Sequence, residues 1–394
     1  MDPEELSESE EEEDDEMMLF VFPALYLASI GYETKCTSRH NCAEWVCEVL
    51  EDDRGQGYEK LRIEPHILRD FSRYVRSNYL LQNTRGVSVE EQIGMFMYML
   101  SRNANFEKLS DRFERSRETI HRHIKACFDA MISVKGDFVK HLSTRTHWKI
   151  SSDPQYGPYF VNCIGAIDGI HVPMTVSGRE AAPYRNKEGS LTQNVMLACD
   201  FDLNFVHVSC GHEGFTSDAA VLYSAIESGF QVPGGKYYLV DEGYPNTPCF
   251  LAPYSGVPYH TQEQEQRNCQ PGDYKELFNL RHAHLHNHIR HAIGILKRRF
   301  PILNVATFYR LETQLKIPAA AVVLHNVIQR QGGDQGEFSS NQTVPISTRK
   351  SVALPSGDDA YGNDVAALNS QCNDGNALRD GMAEKMWADY IRNM

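Results

Sequence analysis

Two aspartates close apolar, β-branched runs: Asp168 in "CIGAIDGIHV" and Asp241 in "YYLVDEGY". Carboxylates delivered by neighbouring strand ends converge on one edge of a sheet, where they suit a hard divalent cation. Two such ions about 4 Å apart clamp the attacking and leaving oxygens of a phosphodiester. A lone Asp after a strand is more often the first residue of a turn, so further residues must decide. The stretch "HAHLHNHIRHAIGILKRRF", residues 282 to 300, holds five histidines, three arginines, one lysine and no carboxylate. Its His284, His288 and His291 share one helical face, as zinc ligands would, although imidazoles drifting on a solvated face are the commoner case.

These residues need elements to position them. Leu285, Ile289, Ala292 and Leu296 recur at helical spacing and predict a helix buried on one side. Val/Ile-rich runs broken by Gly, Asp and Asn predict strands from about 158, with a hairpin turn at "DFDLN". Helical patterns at "SDAAVLYSAIES" and "PAAAVVLHNVIQ" then alternate with the strand "KYYLV". The grammar is that of one α/β domain with a mixed sheet over 151–330. Before it, 64–150 reads as a small all-helical domain. Ser88 and Glu91 form a capping box there. A tight break at 114–116 makes a helix-turn-helix-like pair whose second helix offers Arg117, Arg122 and Lys125 to DNA, or merely braces the next domain.

The 394 residues, 41% hydrophobic, suffice for two cored domains. The net charge of −14 is mostly local. Residues 1–16 contain eleven acids and no base and predict a solvated acidic tail. The apolar run that follows, within a poorly defined 17–63 segment, is too short to cross a membrane and lacks the basic flank of a signal peptide. Ten scattered cysteines suit a reducing compartment, and Cys36, His40, Cys42 and Cys47 fit no common zinc finger. Residues 331–375 read as a linker and 376–394 as an amphipathic terminal helix, either frayed or partner-binding.

The order of "CIGAIDGIHVPM", "PYRNKEGSLTQNVMLACDFD", "LVDEGYPN", "FLAPY", "RHAHLHNHIRHAIGILKRRFPIL" and "LHN" resembles the Harbinger (PIF-type) DDE transposases. The likeness extends to their domesticated relatives, the Harbinger transposase-derived nucleases and the plant antagonist of like heterochromatin protein group. It implies an RNase H-like fold, Asp168 and Asp241 as catalytic and metal-binding acids, Mg²⁺ or Mn²⁺ as cofactor, and DNA as partner. It also implies nuclear work, with the cytoplasm as second compartment, beside a Myb-like DNA-binding protein or a chromatin complex.

The third acid of the pattern does not carry over. His286 stands where relatives have Arg, and Arg290 stands where they have the metal-binding Glu. Glu276 is fourteen residues upstream, about 21 Å along a helix, too far to substitute. Three carboxylates facing two Mg²⁺ leave about +1; two carboxylates and a guanidinium leave about +3, and Arg keeps its proton. The expectation is an impaired nuclease that binds DNA, using Lys297, Arg298 and Arg299 as a basic strip beside the old site. The alternative is an active divalent-metal-dependent DNA endonuclease in which another acid serves.

Overall fold

The hydrophobic periodicity of the first third resolves into helices. In the computed structural model, which describes residues 42–51, 56–141, 143–257, 270–332 and 364–393, these are α1 (Cys42–Glu51), α2 (Gln56–Leu61), α3 (Pro65–Ser77), α4 (Val89–Arg102), α5 (Phe106–Phe113) and α6 (Arg117–Ser133). The acidic run, the apolar run after it, Cys36, His40 and most of the predicted linker lie outside the described residues. Ser88 Oγ accepts the Glu91 amide N–H at 3.1 Å, half of a capping box. The other half is absent: the buried Glu91 carboxylate instead accepts from Arg115, 2.9 Å away in the turn between α5 and α6. Short helices α7 (Lys135–Phe138) and α8 (Trp148–Ser151) lead to the sheet.

Strand β1 (Cys163–Pro173) is followed by α9 (Ala181–Tyr184), β2 (Thr192–Cys199), β3 (Phe205–Glu213), α10 (Asp218–Glu227), β4 (Tyr237–Leu239) and β5 (Phe250–Leu251). The long helices α11 (Tyr274–Arg299), α12 (Leu311–Arg330) and α13 (Asp364–Arg392) complete the chain. The sheet order is β3-β2-β1-β4-β5, with the first three strands antiparallel and β1, β4 and β5 parallel. The "DFDLN" turn closes because Asp200 Oδ1 accepts the amide N–H groups of Asp202 and Asn204, each at 2.9 Å. This mixed sheet flanked by helices, with helices before it, is the RNase H-like α/β fold.

One sheet face packs on α10, through Ile167, Met196 and Val240 against Val221 and Leu222. The other face carries Ala166, Ile170 and Leu197 into a core shared with Leu285, Ile289 and Val323, which continues to Phe96 and Ile124 of the helical region. The terminal helix packs one face against the body of the fold. It begins at Asp364 and buries Ala383 and Met386 in that same core. Arg379 donates to the carbonyls of Ala252 and Pro253 just beyond β5, at 3.4 and 3.0 Å, satisfying an edge that has no further strand among the described residues. At Gly375 the contact is closer still. A Cβ there would stand 2.5 Å from Asn246 O and 2.6 Å from Thr247 Cα, on the loop after Asp241.

Candidate functional site

Asp168 does not end its strand, as the apolar run suggested. β1 continues to Pro173 against β2, but its parallel pairing with β4 stops at Ala166 and Leu239. Beyond that point β4 has ended, and Asp241 follows it at the same edge. Alternation along β1 puts Asp168 on the side of Ala166 and Ile170, which face α11. Each acid accepts a nearby amide N–H, Asp168 Oδ1 that of Gly169 within the strand and Asp241 Oδ1 that of Gly243 in the turn after β4, both 2.9 Å.

Helix α11 crosses these strand ends with one residue per turn. His282 lies against Leu251 O of β5 and His286 against Ile167 O of β1, each through Nε2 at 2.9 Å. A carbonyl only accepts, so both rings hold their proton on Nε2. The two imidazoles stack, with centroids 5.8 Å apart and planes 14° apart. Burial, reinforced by His286, lowers His282 to about 3; burial and the Arg290 guanidinium lower His286 to about 4. One turn further along, Arg290 Nε lies 3.8 Å from Asp168 Oδ2. The side chains are only 22% and 13% exposed, so water screens the pair weakly.

A third acid stands near, and nothing in its local sequence marks it as part of the site. Asp218 looks like a helix-start residue in "TSDAAV", and Ser217 does cap α10 by accepting the Ala220 amide N–H at 3.3 Å. Its carboxylate also packs where glycines leave room. A Cβ on Gly169 would meet Asp218 Oδ1 at 2.6 Å, and one on Gly243 would lie 3.3 Å from Asp218 Oδ2 and 3.2 Å from Asp241 Oδ1. Asn194 Nδ2 donates to Asp218 Oδ1 at 2.9 Å. Gly169 points away from Asp168, so Asp218 approaches from the α10 side of β1, opposite to Arg290.

DDE superfamily endonucleases generally use divalent metal ions. Asp168 and Asp241 are the residues here that could hold one. The donor set does not fit a pair of ions, because a guanidinium occupies the approach to Asp168. Among the described residues no group of three or more His, Cys, Asp or Glu side chains could hold a metal. The histidine face of α11 does not form such a group either. His284 Nδ1 bonds the Tyr156 hydroxyl at 3.3 Å, while His288 Nδ1 donates to Leu285 O at 3.1 Å and its ring meets Phe201 edge-on.

The predicted basic strip divides. Arg298 is exposed and Lys297 half-buried. Arg299 corrects the expectation: it is fully buried, its Nη1 bonded to His325 Nδ1 at 2.9 Å, and cannot reach a phosphate. On α6, Arg117, Arg122 and Lys125 are exposed, as are Glu118 and Asp129 on the same helix. Arg117 also lies 3.6 Å from Glu107. The surface is therefore mixed in charge and less cationic than the arginines and lysine alone suggest.

Residues 167–326 match the DDE superfamily endonuclease family, and residues 37–133 match a domain of unknown function. The chain thus carries a DDE-type nuclease fold. It is 26% identical over 272 residues to a Rattus norvegicus protein named "Putative nuclease HARBI1", covering 67% of this chain and 74% of that protein. The Homo sapiens protein of the same name is 25% identical over the same shares. "Protein ALP1-like" of Arabidopsis thaliana is 23% identical, covering 64% of this chain and 63% of that protein. Together with the domain match, these relatives show that the chain is similar to Harbinger transposase-derived proteins. No solved structure matches the chain.

Proposed function

We propose that this is a domesticated DDE nuclease-fold protein whose strand cleavage is impaired and which works in the nucleus as a DNA- or chromatin-associated binding protein. The observation that carries the reading is Arg290 Nε at 3.8 Å from Asp168 Oδ2, a fixed cation where a metal ligand is needed. At an effective dielectric near 20, a unit charge 4–5 Å from a divalent ion costs on the order of 7 kcal/mol before screening. It adds to the mutual repulsion of the two ions, and position 290 supplies no carboxylate to offset it. The exposed Arg117, Arg122, Lys125 and Arg298, with Lys297, supply phosphate contacts that need no chemistry. By analogy with the relatives the partners are DNA and a Myb-like or chromatin-associated protein. Supercoiled plasmid incubated with the protein and Mg²⁺ or Mn²⁺ tests this. No nicking above the Asp168→Ala background is expected, and turnover abolished by Asp168→Ala would refute the reading.

A second reading, a working metal-dependent endonuclease, draws on Asp218, whose carboxylate neighbours the Asp241 turn across Gly243. It requires Mn²⁺ binding by calorimetry that is lost in both Asp241→Asn and Asp218→Asn. A flat wild-type titration removes it.

A further inference from the structure

A cavity of about 350 Å³ opens where the first half of α11 and the end of α13 meet the segment before β1. It lies near Arg281, nine residues or about 14 Å along the helix from Arg290, and belongs to no part of the acidic site. Its walls include Pro154, Tyr159, Leu280, Arg281, Asp389 and Tyr390. Tyr159 carries a cation over its ring at two places: the Arg281 guanidinium 5.2 Å and the Lys385 ammonium 5.7 Å from the centroid. Arg392 stands 3.3 Å from Asp389. Three cations thus lie about the Tyr159–Asp389 pair, two over the ring and one beside the carboxylate that accepts the Tyr159 hydroxyl at 2.9 Å.

The local balance is positive, and it is incompletely satisfied. Nη1 of Arg281 is buried and has no hydrogen-bond acceptor among the described residues. A guanidinium N–H withdrawn from water without an acceptor is costly, and an anion in the cavity that the Arg281 side chain lines offsets that cost by charge–charge attraction. The proline and leucine walls favour an apolar body over a bare inorganic ion. We propose that this cavity binds a small organic anion, a carboxylate or phosphate carried on an apolar group, and that the bound anion fastens α13 to α11. The proposal is independent of any nucleic-acid role, since a duplex cannot enter a cavity of this size.

Benzoate, phenyl phosphate and inorganic phosphate are titrated into the full chain while Trp387 fluorescence is followed. Trp387 stacks on Tyr390 with centroids 5.6 Å apart, so it reports filling of the cavity, and Trp387→Phe is the signal control. Saturable binding of an aromatic anion is expected, at least about 10-fold tighter than inorganic phosphate, with slower amide exchange along α13. Whichever of the two aromatic anions binds tighter identifies the headgroup. Arg281→Met is expected to weaken binding at least about 10-fold, the range of one charge-assisted bond. Lys385→Gln, a change near the surface, decides the matter should Arg281→Met fail to fold; about 3-fold weakening is expected. The proposal is overturned if neither aromatic anion saturates by about 10 mM, beyond the weakest useful affinities. Inorganic phosphate binding equally well, or affinities unmoved by these substitutions, overturns it too.

Discussion

Replacing Arg290 by Glu reverses the sign of the group beside Asp168, and its effect can be worked from the geometry. The guanidinium stands 3.8 Å from Asp168 Oδ2, so an ion bound to that oxygen lies roughly 4–5 Å from the positive charge. Removing that repulsion and adding an attraction is worth several kcal/mol at an effective dielectric near 20. Partial exposure of the pair screens part of it, leaving at least about 3 kcal/mol, or roughly 100-fold in Mn²⁺ affinity. Without metal the variant carries three mutually repelling carboxylates and has lost an ion pair, a cost of about 2–4 kcal/mol. Its melting temperature in EDTA is therefore expected to fall by several degrees and to recover as Mn²⁺ is added, because an ion held only by the folded state stabilises it. Calorimetry and thermal melts measure both effects on the same samples. The reasoning is refuted if Arg290→Glu binds Mn²⁺ no more tightly than the parent chain, or if Mn²⁺ leaves its EDTA melting point unchanged.

Three further outcomes follow from other parts of the molecule. His286 has a folded pKa near 4 against about 6.5 unfolded, so its neutral form contributes stability above pH 6.5 that is lost as pH falls toward 4. This amounts to about 2 kcal/mol at pH 5, and urea unfolding of His286→Gln should lose less stability between pH 7 and 5 than the parent chain. Gly375→Val forces a side chain into the backbone of Asn246 and Thr247, and limited proteolysis should then cleave α13 first, with a lower melting temperature. Replacing Arg122 and Lys125 together by Ala should reduce the slope of log K against log salt for duplex DNA by up to about 1.8, at roughly 0.9 for each phosphate no longer neutralised; an unchanged slope removes α6 from the interface.

Much of the scaffold was legible because it depends on periodicity. The stripe Leu285, Ile289, Ala292 and Leu296 is buried in α11, and the "DFDLN" turn closes where the Asp and Asn residues indicated. That Arg290 stands beside Asp168 was legible only through the family resemblance, which puts a metal ligand at that position. What remained hidden was how distant segments meet. A cationic stretch does not reveal that Arg299 folds inward onto His325 while Arg298 stays in water, because both follow the same helix end. The docking of α13 depends on Arg379 finding two carbonyls more than 120 residues away, and no local pattern encodes that. Asp218 was hidden for the opposite reason: its local role at a helix start explained it fully, and only the glycines opposite show how near Asp241 it lies.

The imidazoles of α11 carry one more consequence. His282 and His286 fix the axial register of the helix by bonding main-chain oxygens, which every sequence at those strand positions retains. Alignment of α11 with the sheet is therefore independent of any ion and of the side chain at position 290. A lineage with such a mooring could exchange the third acid for a base at little cost to the scaffold, keeping the architecture while the chemistry lapsed.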